Sequence, residues 1–178
     1  GPEYPLSRRK ANPELKPEAS LQADLGLAYR TSSLTIHAQA FSRQMKSCIY
    51  LKPTGATASE SVLGNDTVLS VYTYDQAKAQ VNGGELMLSV HPPAIRWLEW
   101  SLGYAKTANS ISGDDEKNLA LQPADKLVTS VRIQAETFSG MKNAFALFTW
   151  SSFTPQSSVA SFEKPFDAYS LLDVSFGG

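Results

Sequence analysis

Apolar and polar residues alternate along most of this chain with a period of two, the pattern of extended segments that have one oily and one wet face. From Leu21 to Arg30 the odd positions Leu21, Ala23, Leu25, Leu27 and Tyr29 are apolar, while Gln22, Asp24, Gly26 and Arg30 occupy even ones. After Thr31-Ser32-Ser33 the alternation resumes, with Leu34, Ile36, Ala38 and Ala40 set against Thr35, His37, Gln39 and Arg43. So short a polar gap predicts a hairpin. A second pair of strands brackets His91-Pro92-Pro93-Ala94-Ile95. Leu86, Leu88 and Val90 precede it and Leu98, Trp100, Leu102 and Tyr104 follow, with Glu85, Ser89, Glu99 and Ser101 on the other face. A third pair flanks Ser139-Gly140-Met141-Lys142-Asn143. There Thr129, Val131, Ile133 and Ala135 alternate with Ser130, Arg132, Gln134 and Glu136, and the returning strand, Ala144 to Phe153, is apolar on both faces. The last strand, Ala168 to Phe176, sets Leu172, Val174 and Phe176 against Asp173 and Ser175 and runs into Gly177-Gly178, which reads as another tight turn.

The phase of the alternation changes once. Upstream of Asn82-Gly83-Gly84 the apolar positions Leu69, Val71, Ala77, Ala79 and Val81 are odd, and downstream they are even. A β-bulge centred on the glycines would produce that switch.

Short turns alternate with long polar connections, which run from Lys52 to Asp66, Thr107 to Pro123 and Pro155 to Pro165. The reading is an all-β, antiparallel up-and-down meander of about seven strands, with every short turn at one end and every long loop at the other. That asymmetry is the one shown by transmembrane β-barrels. The mid-strand charges of Asp24, His37, Glu99, Arg132 and Glu136 suit a hydrated lumen better than a dry core. A soluble all-β ligand- or carbohydrate-binding module, a sandwich or a lipocalin-like barrel, also alternates and stands as the alternative.

Composition narrows the functional classes. The 178 residues carry 16 basic and 17 acidic side chains for a net charge of -1, which gives no field to steer nucleic acid. One cysteine, Cys48, and two histidines, His37 and His91, are too few for a zinc site, so neither a metal nor a cofactor is expected. No apolar run reaches the ~18 residues of a membrane helix, but a barrel strand needs only about 10 alternating residues. The segment Gly1-Pro2-Glu3-Tyr4-Pro5 does not read as a signal peptide, so an exported parent is expected to carry its signal elsewhere.

No G-x-S-x-G elbow or phosphate-binding glycine loop is present, so no catalytic residues are assigned and an enzyme is not expected. A β-rich enzyme would need groups such as Asp24, His37, Glu99 and Glu136 to converge in one pocket. Asp114-Asp115-Glu116 lacks the ligand spacing of a calcium loop and is expected to be a solvated loop tip. Asn65-Asp66-Thr67 matches a glycosylation acceptor, which would carry no meaning in the membrane barrel that the turn asymmetry predicts. His37 is expected to be a polar lumen residue, and Cys48 a small free hydrophobe. Tyr29, Trp97, Trp100, Tyr104, Trp150 and Tyr169 lie near strand ends or on strand faces, where amphipathic rings favour a membrane interface, although core packing also explains Trp150.

Two stretches carry a family resemblance. Arg9-Lys10-Ala11-Asn12-Pro13-Glu14-Leu15-Lys16-Pro17-Glu18-Ala19-Ser20 resembles the N-P-x-L-K-P-E-x-S signature of TonB-dependent receptor barrels, and an alternating strand follows it at once. Tyr74 to Leu86 is similar to the family pattern Y-x-N-x-x-x-A-x-x-x-G-x-E-L, with Gln76 where asparagine is usual. The similarity continues through Leu98 to Ala105 and through the last strand.

The resemblance implies that residues 1–178 form part of one barrel domain, with a leading loop over 1–19 and strands over 20–178. Family barrels use about 22 strands around a plug, so a plug domain and further strands are expected outside this chain. It also implies a place in the bacterial outer membrane in contact with its lipid, a small nutrient ligand such as a metal chelate, vitamin or glycan, and the TonB energy-transducing complex engaged through absent parts of the parent. Which residues touch ligand is left unassigned.

Overall fold

The computed structural model describes residues 7–62, 65–112 and 116–178. Eight strands make one sheet: β1 (Ser7–Lys10), β2 (Ser20–Arg30), β3 (Leu34–Val62), β4 (Asn65–Val90), β5 (Leu98–Ser112), β6 (Lys126–Phe138), β7 (Met141–Phe153) and β8 (Tyr169–Gly177). Strands β2 to β8 pair in sequence order as an antiparallel meander, which is the expected seven-stranded path, and the sheet is left unclosed. The eighth strand was not foreseen. β1 lies within the leading 1–19 segment and pairs parallel with β4, Ser7 beside Ser70 and Lys10 beside Thr73.

The hairpins close as their turn residues dictate. Ser139 and Gly140, at φ 49° and 86°, form a two-residue turn that pairs Phe138 with Met141. Two positive φ values twist such a turn in the same sense as the flanking strands, and glycine takes the second at no steric cost.

One of the expected loops is largely strand, and a second begins as strand. Most of Lys52 to Asp66 belongs to β3 and β4, which pair from Leu34 opposite Val90 up to Val62 opposite Asn65. Thr107 to Ser112 extends β5 in the same way, opposite Gly83 down to Lys78. The polarity that suggested loops is that of an exposed hairpin extending beyond the apolar band, where a strand can be polar and still keep its backbone paired along most of its length.

The predicted bulge at Asn82-Gly83-Gly84 is absent, since Ala40 to Ser42 pair with Gly84 to Asn82 without a shift. Irregularities lie instead on β3, between Met45 and Cys48 and between Pro53 and Thr57. The phase switch on β4 marks a change in which face is dry. Below the glycines the apolar side chains Leu86, Leu88 and Val90 point outward. Above them the opposite face is dry, where Ala79 packs with Cys48, Tyr50 and Ile111 and is flanked by Met45, Ala77 and Leu119. Gly83 itself is required by a close approach, because a Cβ there would sit 2.5 Å from the Phe41 ring.

Candidate functional site: the barrel wall and its outer cap

Strand pairing sorts the side chains onto two faces, and the outward one is apolar. Its lowest row joins Leu98, Ile133, Ala146 and Phe176, and the next joins Trp100, Val131, Phe148 and Val174 with Leu34 and Val90. Above these lie Leu102, Thr129, Trp150 and Leu172 with Tyr29, Ile36 and Leu88, then Tyr104 and Leu127 with Leu27, Ala38 and Leu86. Among the described residues nothing covers this surface: Leu25 is 76% exposed, Leu172 71% and Phe176 83%. A soluble monomer does not leave so large a contiguous apolar face in water.

The band climbs across the strands. On β8 it runs from Phe176 up to Leu172 and on β2 from Tyr29 up to Leu21, a rise of two to four rows over six strand steps. With ~3.3 Å per residue and ~4.8 Å between strands, the band is inclined by about 25–40° to the pairing rows. Spanning strands tilt by about 35–45° to the membrane normal, so a level slab of hydrocarbon crossing tilted strands would trace this diagonal.

The upper limit of the band is marked chemically. On β5 the outward face turns polar at Lys106, whose ammonium lies 2.9 Å from Asp125, and the Tyr104 hydroxyl donates to the same carboxylate at 3.4 Å. On β3 and β4 it turns polar at Ser42 and Asn82, where the Ser42 hydroxyl donates to Asn82 Oδ1 at 2.7 Å. Tyr29, Trp100, Tyr104 and Trp150 all point outward, as expected for interface aromatics. Tyr169 does not. It stacks on Phe153 at 4.5 Å on the inward face, in the pairing row of Lys126.

The inward face carries most of the mid-strand polar side chains. It carries His37, Gln39, Glu85 and Lys126 around an open trough of about 590 Å³ whose floor is the small residues Gly26, Ala28, Gly103 and Ala105. The residues considered for catalysis are not gathered here. Asp24 accepts a hydrogen bond from Gln22, Glu99 faces His91 at 3.4 Å by a turn, and Glu136 is exposed near the foot of β6. Arg132 lies over the Phe145 ring at 4.3 Å. Among the described residues no group of three or more potential metal ligands occurs.

The signature segment acts as a clasp on the bulged part of β3 and β4. Asn12 turns the chain by accepting from the Glu14 amide at 3.0 Å, and its Nδ2 donates to the Tyr74 carbonyl at 3.0 Å. Gln76 meets Lys16 twice, accepting from its amide at 2.7 Å and donating to its carbonyl at 2.5 Å, and also donates to the Ser47 carbonyl in the bulge at 3.2 Å. The Ile49 amide, at the bulge's exit, donates to Glu18 at 2.6 Å. Sequence reasoning noticed Gln76 only as a departure from a pattern, because a partner 60 positions away is set by register. Cys48 sits beneath this clasp, above the apolar band, where burial pushes its thiol pKa up and the nearby Glu18 charge adds to the rise.

The two remaining long loops lace into one cap. Glu116, expected at a solvated tip, is 7% exposed and accepts from the amide and hydroxyl of Ser161 at 2.8 and 2.6 Å. Its neighbours Asp114 and Asp115 lie outside the described residues, as does the side chain of Asn65. Asn118 donates to the Val159 carbonyl at 3.2 Å, and Glu163 accepts from the Leu121 and Ala160 amides at 2.9 and 3.0 Å. The Gln156 amide group, buried, donates to the carbonyls of Gln122 and Pro123. Tertiary pairing overrides the loop-tip expectation here, since a carboxylate that meets two donors can leave water at modest cost.

The likeness to known proteins agrees with this geometry. The solved structure of the copper transporter OprC superposes with a TM-score of 0.69 at 17% identity, covering 91% of this chain and 23% of that one. The siderophore receptor PirA from Acinetobacter baumannii superposes at 0.61 and 14% identity, covering 95% of this chain and 26% of that one. The chain thus spans about a quarter of each of these proteins. No curated protein sequence matches it significantly. The family model described as TonB dependent receptor-like, beta-barrel matches residues 3–178, and with the outward apolar band, polar inner face and sequential antiparallel pairing in place, the chain belongs to that family of outer-membrane transporters and receptors.

Proposed function

We propose that this chain is a section of the wall of a bacterial outer-membrane receptor that imports a scarce nutrient, its domain 1–178 completed by further strands and a plug in the parent protein. The apolar outward band carries the reading: tilted, uncovered and bounded above by polar pairs, it fits hydrocarbon and leaves the polar face for a hydrated interior. The wall catalyses nothing. It satisfies its backbone in lipid, presents the trough flanked by His37, Gln39, Glu85 and Lys126 to the interior and holds the loop cap at the outer mouth. Energy for import enters through the TonB complex, which engages parts of the parent outside this chain.

A metal chelate is the first ligand class to try, since the similar solved structures are a copper transporter and a siderophore receptor, with vitamins and glycans next. Two measurements on the parent protein test the reading. It should partition with the outer membrane and need detergent for extraction, and a strain lacking it should accumulate less of one labelled chelate, vitamin or glycan. A freely soluble parent, or unchanged accumulation of every class, refutes it and returns attention to a soluble binding module.

A further inference from the structure

Just above the apolar band, the outward face of β2 to β5 carries a hollow of about 600 Å³ that the import reading does not use. Leu21, Gln44 and Gln80 form one pairing row of its wall, and Lys78 with Ser112 forms the next. Lys46, exposed and two residues beyond Gln44 on the same face, joins them at the rim where the β3 irregularity begins. Among the described residues, neither Lys46 nor Lys78 makes an ion pair. The contrast with Lys106 is informative, because that outward lysine at the same boundary is neutralised by Asp125 at 2.9 Å. The carboxylate nearest in sequence to the hollow's edge, Glu18, is already engaged by the Ile49 amide.

We infer that this hollow seats the phosphorylated headgroup of an outer-leaflet glycolipid, with Lys46 and Lys78 on phosphate and Gln44, Gln80 and Ser112 on sugar hydroxyls or amides. Position and charge argue for a lipid. The hollow opens on the hydrocarbon side of the sheet, one or two rows above the limit of the apolar band, where a headgroup rests while its acyl chains lie along Leu25 and Leu27. Two ammonium groups supply what an anionic headgroup lacks in apolar surroundings, and amides and hydroxyls satisfy the sugar. The inference rests on the outward face meeting the outer membrane, as proposed above.

The test uses the full-length parent in phosphatidylcholine vesicles doped with fluorescent lipid A, either bis-phosphorylated or dephosphorylated, with heat-modifiable gel mobility reporting insertion. Wild-type protein should prefer the phosphorylated probe. Lys46→Gln and Lys78→Gln should each weaken its binding about five-fold and together about 25-fold, leaving the dephosphorylated probe unchanged. Lys142→Gln, at the opposite end of the wall, should change nothing. Inorganic phosphate should compete poorly, because a free ion lacks the sugar contacts. An inserted double variant that keeps the wild-type preference overturns the site, as does complete displacement by inorganic phosphate. A wild-type parent that never inserts overturns the barrel reading itself, and the gel mobility tells the two failures apart.

Discussion

Replacing Gln76 by alanine removes three hydrogen bonds at one stroke: from the Lys16 amide, to the Lys16 carbonyl and to the Ser47 carbonyl. Two of these are solvent-exposed, so each contributes at the low end of the usual range, and the sum is about 2 kcal/mol of local stability. The segment 12–19 holds to β3 and β4 through few other bonds, chiefly that of Asn12 to β4 and those of Glu18 and the Ala19 carbonyl to β3, and should open as a unit. A loss of about 2 kcal/mol in local opening corresponds to amide exchange roughly 30-fold faster across 12–19. Hydrogen exchange with mass spectrometry on the parent protein in detergent reads this directly, with peptides from β6 and β7 as unchanged references. Gln76→Glu sharpens the test: it keeps an acceptor for the Lys16 amide but sets a carboxylate against two carbonyls, so exchange should be at least as fast as in the alanine variant. Unaltered exchange over 12–19 in both variants would refute the clasp.

The face assignment predicts that Leu88→Arg, outward in mid-band, costs about 2–4 kcal/mol of folding stability in vesicles, while Met87→Arg next to it, inward and exposed, is near neutral in urea titrations. Gly83→Ala would set a Cβ 2.5 Å from the Phe41 ring and 2.9 Å from the Lys106 carbonyl, costing about 1–3 kcal/mol. Phe41→Ala in the same chain should recover part of that loss, and additive double-mutant energies would disprove the ring contact. Burial and Glu18 raise the Cys48 pKa, so a maleimide should label it far more slowly than a free thiol at mildly alkaline pH. The same raised value means its contribution to stability is intact below the ordinary thiol value and lost as pH rises from there through the raised folded one, which urea titrations across alkaline pH read; rapid labelling of the folded protein would contradict the raised value itself.

Much of this molecule was legible in the residue order. Alternation at period two fixed which side chains share a face along β2, β5, β6 and β8, because a strand has no other way to present them. Turn chemistry at Ser139-Gly140 fixed a hairpin, the asymmetry of short and long connections pointed to the meander, and the motifs at Arg9 to Ser20 and Tyr74 to Leu86 carried the family resemblance. The extent of β3 and β4 was hidden, since polar residues on a strand rising into water look like a loop when its partner is unknown. The phase switch at Asn82 to Gly84 was visible, yet its meaning was not. A bulge and a change of buried face leave the same trace in one dimension, and only the pairing with β3 and β5 showed that the strand stays regular while its apolar side passes from inner packing to the outward band.

Contacts across long separations were decided by the tertiary structure alone. Gln76 with Lys16, Glu116 with Ser161, and Lys46 beside Lys78 each depend on register and on where a bulge inserts its extra residue. Local sequence sets the face of a side chain, but neighbours on adjacent strands are set by the alignment of whole strands.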